Sequence, residues 1–305
     1  RAMSLDEMWQ DLKYAVRTLR KAPGYTALVV LTLAFGVAAN TTIFSLMNPY
    51  LFRPLPYESA EKLVQVNQAN PITGWDMDRF SYPQYEDWKA RTRAFSDVAA
   101  YSYGSVNITG NEGPEQVQAS HLSANMFEVL GAQAEVGRTF LAEEGRPGGN
   151  QVVVLDHGLW QRRYAGDPAL IGRTIEMDGV QRTVVGVMPE NFTFPFGGVK
   201  VWLPTRVEAA AADRARNAYQ LIGRLNDGWT RKRARAELSQ VQQELAAQYP
   251  DTDGRMDGVT VKPLREALNF AWDVLSISFK VLLGAVAFVL MIACVNVASL
   301  TLARG

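Results

Sequence analysis

Apolar and polar positions divide the chain into three regimes. Residues 22–52 run for 31 positions without a charged side chain, and within them 25–47 are mostly apolar and helix-compatible. As a helix that stretch rises about 1.5 Å per residue, roughly 33 Å in all, enough to cross a hydrocarbon core of about 30 Å. A second run, Val281–Ala303, has the same character at the far end. A water-soluble domain seldom holds two long helices that are apolar on every side. The pattern therefore predicts membrane spans at 22–52 and 274–305, with everything between them on one side of a lipid bilayer. A cleavable signal peptide has a shorter apolar core and a small-residue cleavage site; here the run follows some twenty mostly polar residues and continues into Asn48–Pro49–Tyr50–Leu51–Phe52. Thr26, Thr32, Asn40, Thr41, Thr42 and Ser45 would suit a buried soluble helix instead. Hydroxyls, however, bond back to the carbonyl one turn earlier and are tolerated in lipid, and Asn40 predicts a face turned to another helix.

Shorter periods fill the rest. Leu5, Met8, Trp9, Leu12, Val16 and Leu19 recur at helical intervals, so residues 1–21 read as an amphipathic helix, lying on the inner membrane surface or packed on another cytoplasmic segment. Pro23–Gly24 breaks it before the first span. After the stiff stretch Arg53–Tyr57, Leu63–Gln68 alternates as a strand, and Tyr82–Arg93 reads as a helix with Pro83 in its first turn. Phe95–Thr109 is a strand pair or one long strand. A matching unit comes later: a strand at 219–226, a helix from a Thr230 cap to Tyr249, and a strand at 259–263. That helix carries the stripe Ala234, Leu238, Val241 and Leu245, which leaves Arg231–Arg235 and Gln242–Gln243 outside. Two β–α–β units bracketing the middle predict an α+β fold of two related halves around an insert at 110–208. The insert has a short helix ending in Phe127–Leu130, a buried strand at 152–155, an arginine-rich helix at 156–164, and the hairpin Thr174–Met177, Asp178–Gly179, Val180–Met188. Pro189 and the aromatic loop Phe192–Phe196 close it.

Placement of charge adds orientation. The chain is neutral overall, which gives no support to nucleic-acid binding. Arg17, Arg20 and Lys21 precede the first span and Arg304 follows the second, so both ends are expected in the cytoplasm and the middle outside it. The single cysteine, Cys294, lies within the second run, and an exported domain of this size relies on its core instead of disulfides.

Reactive chemistry is hard to find. His121 and His157 are too few for a histidine metal site, and no G-x-S-x-G nucleophile turn occurs. Asp251-Thr-Asp253-Gly254-Arg-Met-Asp257 resembles a calcium loop but puts Lys262 where a bidentate glutamate belongs. Gly148–Gly149 and Gly197–Gly198 lack the lysine and hydroxyl of a Walker motif. Asn107-Ile-Thr109 and Asn191-Phe-Thr193 match glycosylation acceptors no better than chance. Arg231-Lys-Arg233-Ala-Arg235 is the one basic cluster, a solvated helix face or a contact for a partner or a phosphate surface. No catalytic, cofactor-binding or metal-binding residue is predicted, and the chain is not expected to be an enzyme.

Several stretches resemble MacB/FtsX-like ABC-transporter permeases: Trp9–Gly24, Leu31–Ser45, Arg53-Pro-Leu-Pro56, Ile171–Gly179 with Val184–Pro189, and Cys294–Arg304. Within that family the chain is most similar to the acidobacterial-type orphan permeases, which are long and duplicated. The resemblance implies a periplasmic core domain at 53–273 with a porter-like subdomain, 57–109 and 210–265, split around the β-rich insert. It also implies an inner-membrane location, a cytoplasmic ABC ATPase partner, a homodimer or pseudo-dimer, a periplasmic adaptor in some members, and mechanotransmission or efflux. Such permeases have further spans, so Gly305 is expected to end an N-terminal fragment. The alternative is a membrane-anchored sensor or ligand-binding module of the same topology; a membrane-tethered hydrolase would need a polar cleft with perturbed carboxylates.

Overall fold

The computed structural model describes residues 55–268, apart from 71–75, 78, 111–112, 207–212, 255 and 257, together with single helical positions within 9–45 and 277–295. The chain forms two units, Arg1–Arg53 with Asn269–Gly305, and Pro54–Leu268. Most of the expected spans at 22–52 and 274–305, and of the amphipathic helix before them, lie outside the described residues. Among the described residues no helix is long and apolar enough to cross a membrane. The described flanking positions are helical and include the exposed Val30, Leu31, Val37, Val281, Phe288 and Met291.

The unit Pro54–Leu268 is built on one mixed sheet. Its strands are β1 (Leu63–Ala69), β2 (Asp76–Met77), β3 (Phe95–Thr109), β4 (Glu115–Leu122), β5 (Val136–Gly137), β6 (Val152–Leu155), β7 (Thr174–Met177), β8 (Val180–Val187), β9 (Val199–Pro204), β10 (Gln220–Leu225) and β11 (Gly258–Pro263). Their order is β11-β1-β10-β3-β4-β9-β6-β8-β5, with β2 beside β1 and β7 bridging β3 and β8. Helices α1 (Tyr82–Arg91), α2 (Met126–Leu130), α3 (His157–Tyr164), α4 (Arg231–Gln248) and α5 (Leu264–Leu268) cover it.

The stretch 95–109 is one strand, and it joins the two regions of different pattern. Its first half pairs with β10, through Phe95↔Leu225 and Tyr101↔Gln220, and its second half with β4, through Val106↔Val117. Successive side chains of a strand point to opposite faces, and β3 uses both. Val98 and Ala100 sit under α1 and α4, while Val106 and Ile108, on the same face, sit in a second cluster with Leu159 and Trp160 of α3. Between them Gly104 is exposed. Ala99 and Tyr101 face the third cluster, with Phe127, Trp202, Phe192 and Phe194.

Local chemistry sets the helix ends. Ser81 and Gln84 form a reciprocal capping box ahead of Pro83, which satisfies two of the amides a helix start leaves unpaired. Thr230 accepts from the Arg233 amide at the start of α4, and Asp156 from Leu159 at the start of α3. The β7–β8 hairpin turns on Asp178 (φ 49°) and Gly179 (φ 75°), the positive-φ pair that a two-residue hairpin turn requires.

The strand expected at Leu63–Gln68 is present as β1, and every one of its residues is buried. Packed layers cover both of its faces, and its polar side chains bond inside: Gln65 Nε2 to Asn67 Oδ1 at 3.1 Å, and Gln68 Nε2 to Gln84 Oε1 at 3.2 Å. On α4 the stripe Ala234, Leu238, Val241 and Leu245 is buried as expected, but Gln242, expected outside, is fully buried as well.

Candidate functional site at the base of the domain

The incoming and outgoing chains meet at one end of this sheet. β1 begins at Leu63 and β11 ends at Pro263, and the two are antiparallel neighbours from Val64↔Pro263 to Ala69↔Gly258. On the other side of β1, Leu63 faces Arg224 of β10. Residues 55–63 and 262–268 therefore leave the sheet side by side, and we call this end the base. Both segments are anchored in one cluster: Leu55, Ala60, Leu264 and Leu268 pack with Tyr57 and Leu63. Tyr57 donates its hydroxyl to the Thr193 carbonyl, and its ring meets Phe192 edge-on at 6.0 Å. Burial pushes the Tyr57 phenol well above its ordinary pKa, so it stays a neutral donor.

Arg224 ties the base together. Its Nε donates to the Val129 carbonyl at 2.8 Å and its Nη1 to the Ser59 carbonyl at 3.3 Å. Ser59 itself holds a left-handed backbone, φ 47°, at the start of the 3₁₀ turn Ala60–Lys62, a conformation that favours glycine. Burial lowers the Arg224 pKa, and Glu58 and Glu61 partly offset it. Gly131 caps α2 with φ 67°; a Cβ there would lie 3.1 Å from Glu58 Cβ and 3.4 Å from Arg224 Nη2. Lys62 and Asp227 pair at 2.6 Å on the rim. Glu58, Lys62, Ser96, Arg224 and Asp227 border a cleft of about 350 Å³.

Mechanically the arrangement discriminates between motions. Pulling the two ends apart would open the β1–β11 ladder one hydrogen bond at a time. Displacing them together loads the ladder and its apolar anchor as a unit.

Several of the residues weighed above for chemistry have structural partners. Asp253, of the calcium-like loop, is fully buried and takes Arg214 Nη2 at 2.8 Å and Gln84 Nε2 at 2.9 Å; Arg214 also reaches Asp87 at 2.7 Å and stacks on Tyr249. Asp257 lies outside the described residues. His157 Nδ1 lies 2.9 Å from Glu135. Asn107 Nδ2 donates to Asp178 at 2.9 Å. In the sequence the base shows as the strands expected at 63–68 and 259–263, which flank the ends of the middle segment, and as the stretch Arg53–Pro56 that leads into it.

A second concavity, about 450 Å³, lies between α1 and the segment Ser123–Glu128, lined also by Arg146 and Thr205. The buried Thr205 Oγ1 has no hydrogen-bond partner there.

Comparisons with known proteins agree with this architecture. A "Probable export ATP-binding/permease protein MacB" of Pseudomonas entomophila is 29% identical over 127 residues, 41% of this chain. The match spans 19% of that protein's length, so the chain corresponds to under a fifth of it. A permease-protein domain from Porphyromonas gingivalis superposes with TM-score 0.51 at 13% identity, covering 68% of this chain and 92% of that one. At that identity the likeness is one of fold. The periplasmic region of MacB from Actinobacillus actinomycetemcomitans aligns with TM-score 0.48 at 12% identity, covering 68% of this chain and 91% of that one. The family described as the MacB-like periplasmic core domain matches residues 26–241, more than half of the chain, and the protein belongs to that family.

Proposed function

We propose that the chain is part of a permease subunit of a MacB/FtsX-type ABC transporter. ATP hydrolysis by a separate cytoplasmic ATPase moves two inner-membrane spans, residues 22–52 and 274–305, and the periplasmic domain at 53–273 follows. The observation that carries this reading is the pairing of β1 with β11, which brings residues 55–63 and 262–268 together at one end of the sheet. Spans that shift in concert displace the domain as a body. The exposed apolar side chains at helical positions such as Leu31 and Phe288 support the spans. In this reading the subunit is a mechanical element and not an enzyme, works as a homodimer or pseudo-dimer, and engages a periplasmic adaptor when its task is efflux.

One observation favours a second reading, a membrane-anchored ligand-binding module. The cleft beside α1 presents Tyr82, Tyr85, Lys89 and Arg146 around the unpartnered Thr205 hydroxyl. The two readings part at the cytoplasmic side. A phosphatase fused after residue 120 is expected to be active outside the cytoplasm and one fused near Asp11 inactive, and a nucleotide-binding subunit is expected to copurify with the full-length protein. The reverse fusion pattern overturns both readings; correct topology with a signalling domain and no ATPase leaves the second.

A further inference from the structure

Polar atoms without a partner are concentrated at one corner of the insert. Six buried side-chain nitrogens and oxygens lack a hydrogen bond among the described residues, and four of them lie there: Arg182 Nε, Thr205 Oγ1, and Arg206 Nε and Nη2. The strand registers bring these residues to one end of β9. β9 runs beside β4 through His121↔Leu203 and Leu122↔Pro204, and the Thr205 amide extends the ladder to the Leu122 carbonyl at 2.7 Å. On its other side the antiparallel pair Val154↔Trp202 sets the start of β6 against this end, and Val152↔Thr183 sets the start of β8 beside β6. The three cations sense one another. Burial lowers the Arg182 pKa and the charge of Arg206 lowers it further; burial and then Arg182 do the same to His121. Asp178 offsets both, but its Oδ1 already accepts from the Asn107 amide and from Asn107 Nδ2, each at 2.9 Å. Arg182 Nη1 donates to Gln151 Oε1 at 2.6 Å. Among the described residues His121 and Arg206 make no side-chain hydrogen bond at all.

A buried donor without an acceptor is costly, more so on a charged group, and neighbouring guanidinium groups repel each other. Arg214 shows what a guanidinium edge does when it has a partner: its Nε and Nη2 both donate to Asp253 Oδ2, at 3.1 and 2.8 Å. Arg206 presents the same edge with no acceptor before it. We infer that this corner binds an oxyanion of the phosphate class, held by the Arg206 edge, Arg182 Nε and the Thr205 hydroxyl, with a ring N–H of His121 as a further donor. A carboxylate offers a pair of oxygens in one plane, which suits a single guanidinium edge. A tetrahedral phosphate spreads its oxygens and meets donors that arrive from several directions. Both arginines are partly exposed, so small rotations of these long side chains suffice to turn the donors to the ion. Thr205 also lines the cleft of about 450 Å³ beside α1, with Lys89 and Arg146 but also Glu86 and Glu128 on its walls, and this gives the corner an opening. Once occupied, the site ties β4, β8 and the end of β9 to one ion. The inference is independent of the transport reading and holds whatever task the domain performs.

The test uses the full detergent-solubilised chain, isotope-labelled at histidine, in buffer free of phosphate and sulfate. The chain has two histidines, so His157 serves as an internal control. Inorganic phosphate is expected to move the His121 ring signals saturably, to leave those of His157 in place, and to raise the melting temperature by a few degrees at saturation. Acetate, and chloride at equal ionic strength, are expected to do neither. Arg182→Gln and Arg206→Gln each remove an unpaired charge, so both should melt no lower than the parent without phosphate and bind phosphate at least about tenfold more weakly. Glycerol phosphate forms a second arm: binding as tight as that of phosphate assigns the site to a monoester, and binding of phosphate alone assigns it to the free ion. Because the His121 signal is read in the parent, the test stands even where a variant fails to fold. An unmoved His121 signal, or a response that chloride reproduces, overturns the site. So does an undiminished response in both folded variants. Binding that appears only after Glu208→Gln overturns it in favour of a carboxylate of the chain itself.

Discussion

The indole Nε1 of Trp88 donates to Gln242 Oε1 at 3.2 Å, joining α1 to α4 across 154 positions of sequence, and both side chains are sealed from solvent. The same glutamine donates from Nε2 to the Met256 carbonyl at 2.7 Å. One amide thus satisfies a donor on α1 and an acceptor beyond α4. Gln242→Leu keeps the volume but strands both partners, and a buried polar group without a partner costs about 1–3 kcal/mol. The expected loss is roughly 2–4 kcal/mol, read as a lower urea midpoint of the detergent-solubilised chain. An unchanged midpoint would mean that water reaches this seam.

Gly131 provides a sharper probe of the base. It holds φ 67° against Glu58 and Arg224, so Gly131→Ala meets both a backbone penalty and a crowded neighbour. About 1–2 kcal/mol of destabilisation is expected. Because the displaced Glu58 belongs to the incoming segment, hydrogen exchange should quicken at 58–63 before it does at β6. Faster exchange at β6 alone would show that Gly131 serves only the α2 cap.

Much of this was legible in advance, for local reasons. Thr230, the Ser81–Pro83 start and Asp178–Gly179 each carry their structural instruction within four residues, and α4's apolar stripe announces its buried face. Gln242 was not legible, because a glutamine beside a stripe looks solvated until a Trp88 from another helix claims it. The burial of β1's polar side chains was not legible either: alternation reports which side chains are polar, not whether both faces are covered. The clasp at the base is further from sequence still, since it consists of registers between strands some two hundred positions apart.

His121 makes stability depend on pH. Burial lowers its pKa below the ordinary 6.5, Arg182 lowers it further, and Asp178 opposes the shift. The unfolded chain therefore takes up the proton first. Stability is intact above pH 6.5 and falls as pH drops from there towards the depressed folded value. Glu115, held low by hydrogen bonds from Arg162 and Arg163, loses its contribution only below its ordinary 4.5, so the two windows separate. Thermal melts from pH 7.5 downward should show the first decline, and His121→Gln should flatten it. A decline that persists unchanged in His121→Gln would assign it to another group.

The start of α4 carries charge of the sign that its dipole disfavours. Arg231 and Lys232 are exposed and enter no ion pair among the described residues, and they stand where the helix dipole disfavours positive charge. Arg231→Glu/Lys232→Glu replaces them with the preferred sign and spares Arg233, which stacks on Trp229, and Arg235, which bonds to Val259. Each change is expected to stabilise by about 0.3–1 kcal/mol at low salt, so the melting temperature in neutral detergent rises by a few degrees or holds. A variant that melts lower would place these cations in the fold's own electrostatics.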